Sequence, residues 1–275
     1  MAEFSGYLRL GAEARPDGRT VLRDQAFRAP FHISKPYWDP DALTLLVQVV
    51  NPTAGILARD ELALDINVGS LAAMTVTTPA ATRVFRMPAG QAVSRQNFTV
   101  APGGWLEIMP EPLVPHGGSC FHQVTTIDAA AGAGVFYVDQ LVPGRLGHGE
   151  AWQWDSLRLE MSVRVDGTLV LRERFEESGA GLRRLAEAGG SGASACFANA
   201  VIVAPPETGP DASLAAELHG LQTKDLLIGL SPLRRHGWSL KCVARDPMHL
   251  RDGLQAARAI LSRRLQRLSL DLRKV

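Results

Sequence analysis

Cysteine is scarce in this chain, with Cys120, Cys196 and Cys242 the only three among 275 residues. An odd number of widely spaced thiols suits a reducing compartment better than a disulfide framework, so a cytoplasmic location is expected. Charge of one sign is missing as well: 29 basic side chains meet 28 acidic ones, for a formal net charge of +1. No global field then draws the chain to nucleic acid or to an anionic membrane, and any basic patch must be local. Long apolar runs are absent, none approaching the roughly 18 residues of a membrane span. Met1 to Gly11 has neither the basic start nor the apolar core of a signal peptide. Catalytic signatures are missing too, with no nucleophile elbow, Walker loop, dinucleotide fingerprint or paired-histidine zinc motif. The Gly-rich run Gly144 to Glu150 fits no phosphate-binding spacing and has no helical pattern after it. It reads as a tight turn that an Arg145–Glu150 ion pair would fix.

What is present is the composition of a folded protein, 46% hydrophobic and 21% charged, long enough to bury a core without staples. From Gly6 to Phe175, short β-rich runs such as Leu43 to Val50, Met74 to Thr77 and Val135 to Val138 alternate with Gly, Pro, Asn and Asp. Many short strands without intervening helical patterns predict a mainly β fold, with antiparallel strands in a sandwich- or solenoid-like layered arrangement. No internal repeat is evident. Composition divides the chain into a β-rich part over 1–177, a mixed part over 178–245 with a loop at Gly189 to Gly192, and a C-terminal amphipathic helix over 246–275.

The clearest helical pattern runs from Pro247 to Leu272, with Asp246 as N-cap, Pro247 in the first turn and a stripe through Leu250, Leu254, Ala257, Leu261, Leu265 and Leu268. Its other surface carries Arg251, Arg258, Arg263, Arg264, Arg267, Arg273 and Lys274, read as a solvated face in preference to a docking patch. Shorter helices are expected at Leu182 to Ala188 and, after the stretch Pro205 to Pro210, at Ala212 to His219 with Asp211 as N-cap.

Leu157 to Phe175 reads as a hairpin, since Leu157, Leu159, Met161, Val163 and Val165 alternate with polar residues. A two-residue Asp166-Gly167 turn would leave Leu169 and Leu171 on the wrong face, so a three-residue loop pairing Val165 with Leu169 and Val163 with Leu171 is preferred. That register puts Glu173 on the apolar face opposite Met161, where a carboxylate needs a partner.

His116, Cys120 and His122 lie close together and would suit nickel or zinc chemically, but no fourth ligand accompanies them, and ordinary loop and strand residues are the competing reading. His32, His219, His236 and His249 are isolated and read as structural or surface residues. Trp152 and Trp154 share one strand parity, which makes either a stacking platform or two core rings. The platform keeps a non-catalytic carbohydrate- or ligand-binding β-sandwich as an alternative. Asp60, Glu150 and Glu173 would be the carboxylates of a hydrolase, although nothing in the sequence places two at one bond.

The run Asn51-Pro52-Thr53-Ala54-Gly55-Ile56-Leu57-Ala58-Arg59-Asp60-Glu61-Leu62 resembles the N-P-S/T-G-G-L-V-G-G-D-x-L signature of the UreD/UreH family of urease accessory proteins. Thr77-Thr78-Pro79-Ala80-Ala81-Thr82-Arg83-Val84-Phe85-Arg86 is similar to that family's T-T-P-x-A-T-K-V-Y-R. Leu106 to Glu111 follows L-E-W-L-P-Q, and Gly144-Arg145 through Gly149-Glu150 follows G-R-x-x-x-G-E. The resemblance is good from Gly6 to Phe175 and looser to the C-terminal helix, so it implies one unit over 1–275.

It further implies a largely β scaffold with no catalysis of its own and no tightly bound cofactor. Such a scaffold binds apo-urease, a helical accessory protein of the F type and, through it, a GTPase of the G type, and nickel passes transiently along a polar internal path. Carried over by motif, the path residues are Asp60, Thr77, Thr78 and Glu150, with Asp139 where the family has an acidic residue. Arg83, Arg86, Gly144 and Arg145 follow as structural or partner-binding residues of the motifs. Glu173 joins the path from the hairpin register. Ala54, Ala58 and Arg59 replace three family glycines, which predicts strain in that loop, and Glu111 replaces a glutamine. Asp60 itself has an equal reading as the cap of a turn.

Overall fold

Two β-sheets share the chain between them in the computed structural model, which describes residues 5–188, 190, 192–204, 212–234 and 237–272. The first sheet holds β1 (Ser5–Ala14), β2 (Thr20–Arg28), β6 (Glu61–Val68), β9 (Ala92–Val100), β12 (Cys120–Ala129), β14 (Ser156–Val165) and β15 (Thr168–Glu177), ordered β15-β14-β12-β9-β6-β1-β2. The second is built on β5 (Thr44–Val50), β7 (Ala73–Thr77), β10 (Trp105–Met109), β13 (Gly134–Leu141), β16 (Cys196–Val203), β17 (Leu226–Pro232) and β18 (Gly237–Ala244), with β17 at its edge. Short strands β3 (His32–Ile33), β4 (Tyr37–Asp39), β8 (Thr82–Val84) and β11 (Leu113–Pro115) flank it.

From β5 to β14 each long strand crosses to the opposite sheet, so neighbours within a sheet are one full coil apart and run the same way. Glu61, Val93 and His122 stand abreast in the first sheet, as do Leu45, Met74, Leu106 and Val135 in the second. The mainly β, solenoid-like layering with a C-terminal helix agrees with the sequence reading. The antiparallel expectation needs correction: it holds for β1–β2, β14–β15 and the set β13–β16–β18–β17, while the coiled centre is parallel. The cause is that the turns there cross between layers rather than reverse within one.

Short turns gather at one end of the coil and stack through backbone bonds such as Gly69 N–H to Ala12 O (2.8 Å) and Ala130 N–H to Val100 O (2.8 Å). The long connections, 51–60, 78–91, 110–119 and 142–155, gather at the other. There Ile56 N–H donates to Arg83 O (2.8 Å), His116 N–H to Val84 O (2.9 Å) and Gly118 N–H to Gln153 O (2.8 Å).

Between the sheets, Leu10, Ile66, Phe98, Ile127 and Val163 pack on Val47, Met74, Leu106 and Val135. Each such side chain contributes about 1.5–3 kcal/mol by leaving water. Ala198, Ala200 and Ile202 on the outer face of the second sheet are covered by α2 (Ala212–His219) and α3 (Pro247–Ser262) through Leu214, Leu250, Leu254 and Leu261. A Cβ on Gly253 would lie 2.6 Å from the Leu226 side chain, so a larger residue at this helix position would require that leucine to shift. Another helix, α1 (Gly179–Ala188), follows β15 and buries Leu182 and Ala186. No helix among the described residues is long and apolar enough to cross a membrane.

Asp246 caps α3 by accepting from His249 N–H at 3.0 Å, as its position predicts, but the helix ends at Ser262 rather than Leu272. The chain bends there and enters a 3₁₀ turn, Gln266–Ser269, which lets Leu265 and Leu268 enter the second core and sets Leu270 against Ala42 and Leu46. The solvated reading of the basic surface holds for Arg251 and Arg263, whose side chains are 55% and 68% exposed, and needs correction at Arg258, Arg264 and Arg267. Arg258 reaches Glu107, Arg263 pairs with Glu217 (2.7 Å), Arg264 donates to Ser213 Oγ (2.6 Å), and Arg267 donates to the Ala42 and Leu43 carbonyls. Asp211, Pro205 to Pro210, Gly189, Ser191, His236, Arg273 and Lys274 lie outside the described residues.

In the hairpin both registers weighed above occur. Asp166 (φ 50°) and Gly167 (φ 70°) make a two-residue turn pairing Val165 with Thr168, not Leu169. A bulge beside Val163 then restores Val163–Leu171, Met161–Glu173 and Leu159–Phe175.

Candidate functional site

Inward-facing positions of a two-layer coil should be apolar, and most are. In the middle of the first sheet the rule is broken: Ser94 and Gln96 of β9 and Gln123 and Thr125 of β12 point inward between apolar neighbours Ala92, Phe98, Phe121 and Ile127. Tyr137 and Asp139 of β13 face them from the second sheet. All of these but Thr125 border a cavity of about 280 Å³ that opens beside Thr53, Pro79, Arg83 and Glu111, at the end where the long connections stack.

Its polar wall is held by hydrogen bonds. Tyr137 Oη–H donates to Asp139 Oδ1 at 2.6 Å and Gln123 Nε2–H donates to the same oxygen at 3.0 Å. Gln123 Nε2 also lies 3.2 Å, and Thr125 Oγ1 3.3 Å, from Tyr137 Oη. Burial raises the Asp139 pKa above the ordinary aspartate value, Tyr137 and Gln123 pull it back, and the nearby Glu173 charge raises it further. The donors on Asp139 are neutral, so its charge is oriented without being cancelled.

Across the sheet, Asp139, Asn199 and Lys241 stand abreast on β13, β16 and β18. Glu173 reaches them from β15, accepting from Asn199 Nδ2 (2.6 Å) and Lys241 Nζ (2.8 Å). This supplies the partner that its inward register demanded.

Other residues singled out in the sequence fall around this cavity or away from it. Thr77 and Thr78 line it at the end of β7, with Thr77 Oγ1 donating to Met109 O (2.9 Å) and Thr78 Oγ1 accepting from Glu111 N–H (2.8 Å). Asp60 lies outside the lining: its carboxylate accepts from Leu57 N–H at 2.8 Å, closing the turn, and burial raises its pKa. Of the three replaced glycines only Arg59 takes a left-handed backbone, φ 68°, so the expected strain is confined to it.

Arg145 binds Glu150 through two nitrogens, as the turn reading requires, and this holds the Glu150 pKa down. A Cβ on Gly144 (φ 107°) would meet Glu150 O at 2.7 Å and Pro115 O at 2.8 Å. Arg83 borders the cavity mouth, and Arg86 lies along Gly118.

His116, Cys120 and His122 are not brought together. His116 is buried edge-on to Phe85 with ring centroids 4.8 Å apart, burial lowers its pKa, and its Nε2 has no hydrogen-bond partner among the described residues. His122 faces Glu160 (3.3 Å) on the outer surface of the first sheet, and Cys120 packs in a separate cluster. Among the described residues no group of three or more His, Cys, Asp or Glu side chains is placed to hold a metal ion. Burial pushes Cys196 and Cys242 up to about 12, which keeps both as thiols. Trp152 and Trp154 are core rings, their indole N–H groups donating to Ala193 O and Glu177 O.

Sequence reasoning missed Gln96, Gln123, Thr125 and Tyr137. The available signal was parity, since each shares the inward side of its strand with apolar residues such as Phe98, Ile127 and Val135.

A family model described as the UreD urease accessory protein matches residues 5–274. The chain belongs to the UreD family. Its relatives include the urease accessory protein UreD of Opitutus terrae, 53% identical over 273 residues that span 99% of this chain and 100% of the relative. Urease accessory protein UreD 2 of Streptomyces griseus is 32% identical over 267 residues, 94% of this chain and 89% of the relative. The UreD motifs of the sequence, Asn51 to Leu62, Thr77 to Arg86 and Gly144 to Glu150, all fall in the long connections at the cavity end, each in a different coil.

Proposed function

We propose that this UreD-family chain is a non-catalytic scaffold that binds apo-urease together with a helical accessory protein of the F type and, through it, a GTPase of the G type. In this reading nickel crosses the scaffold between the sheets on its way to the urease active site, without a tightly bound cofactor. The observation that carries the proposal is the polar cavity itself, with the Asp139 carboxylate oriented by neutral donors inside an apolar coil. Oxygen donors of this kind hold a borderline divalent ion weakly and release it, as cargo requires. Asp139, Glu173 and the Thr77–Thr78 wall form the route. Asp60 and Glu150 belong to the frame, since one closes its own turn and the other is held by Arg145. The ligand-binding alternative loses its platform, because both tryptophans are buried.

Asp139→Asn and Glu173→Gln keep shape and remove charge. Each variant should stay folded and co-purify with apo-urease and the helical accessory protein, yet activate urease on the order of tenfold more slowly in a reconstituted assay. Activation that stays normal in both, or falls only in step with melting temperature, contradicts the route.

A further inference from the structure

The first sheet ends at β15, whereas the second continues through β18 to β17. Between these unequal edges the polar wall meets solvent, and an ammonium group stands at that boundary. Lys241 Nζ lies 2.8 Å from Glu173 Oε1 and 3.1 Å from Asn199 Oδ1. The Lys241 side chain is 59% exposed against 23% for Glu173. A pair this open to water contributes little stability, and the flexible four-carbon stem lets the ammonium swing into solvent at small cost. While it stays, it neutralises the carboxylate that an incoming cation would use.

We propose that Lys241 is a tethered competitor for the cation, occupying the Glu173 end of the polar wall until a divalent ion displaces it; this rests on reading the cavity as a nickel route. Charge gives the exchange its selectivity. A monovalent ion that replaces an ammonium gains no charge at Glu173, whereas a divalent ion gains one and also attracts Asp139, which stands beside Asn199 in the same row. Asn199 Nδ2–H, donating to the other Glu173 oxygen at 2.6 Å, keeps that carboxylate aimed while the ammonium leaves. The competitor also keeps resting affinity low, so cargo is not trapped at this edge.

The test is calorimetric titration of nickel(II) chloride into the full chain. Lys241→Met, which keeps the stem and removes the charge, should bind nickel about tenfold more tightly than the unaltered protein. Lys241→Gln should do the same, and Lys241→Arg, which restores a cation, should return to the starting affinity. Adding Glu173→Gln to Lys241→Met should abolish the gain. A merely structural lysine predicts a lower melting temperature in Lys241→Met and Lys241→Gln with nickel affinity unchanged, and that result overturns the proposal. If those variants leave nickel binding unchanged while Asp139→Asn weakens it, the competitor is wrong and the route survives. If Asp139→Asn has no effect either, the route itself has failed.

Discussion

Asp139 holds its charge where burial opposes it. Its pKa in the folded chain lies above the ordinary aspartate value of 3.8, so the folded state binds that proton more tightly than the unfolded state does. Stability therefore declines as pH rises from the ordinary value through the raised one, and the deficit is complete only above the raised one. Asp139→Asn removes it: the variant should melt higher at pH 7, and its advantage should vanish when both proteins are scanned near pH 3.8. An equal advantage at both pH values contradicts burial of the charge as the cause. At this scale much was legible in the sequence. Asp139 came from its motif neighbourhood and Glu173 from strand register alone. The neutral Gln96, Gln123 and Thr125 were passed over because none is a strong ligand or catalytic type by itself; they gain meaning only when parity brings them into one wall.

At the level of elements, α3 is locked to the second sheet by one buried ion pair. Arg258 Nε lies 2.6 Å from Glu107 Oε1 and Nη2 3.0 Å from Oε2, while Nη1 donates to Leu270 O at 2.8 Å. Glu107 is fully buried and also accepts from Thr75 Oγ1. Removing only the guanidinium strands a carboxylate, so Arg258→Ala should cost about 3–5 kcal/mol in denaturant unfolding. The double variant Glu107→Leu with Arg258→Met should recover most of that loss, and equal losses in single and double variants would deny the pair its role. None of this was readable from the helix pattern, where Arg258 looks like its arginine neighbours. The overlong helix has a related cause: the leucine spacing continues past Ser262 through the bend, so periodicity cannot mark the end. The hairpin resisted for a different reason, since a turn of one length and a bulge of one residue jointly reproduce a register that neither gives alone.

Across the whole molecule, each turn of the coil lays one strand in each layer, yet the sequence shows no repeat. What recurs is only inward parity and the place of the turns, while the long connections differ in length and content. Parallel pairing was hidden for the same reason, because partners one coil apart share no pattern. The collinear family motifs were nevertheless a trace of the coil, each marking a different long connection at the same end. Two of them, Asn51 to Leu62 and Thr77 to Arg86, line the cavity through which the proposed nickel route runs. Filling that space tests it most directly. A chain carrying Ser94→Phe and Gln96→Phe, both on the cavity wall, keeps every carboxylate and every outer surface. Assembled with apo-urease and the accessory proteins, it should form complexes as the unaltered chain does, while nickel-dependent urease activation is lost. Activation at the unaltered rate by a folded, fully assembled, plugged chain would show that nickel does not travel between the sheets.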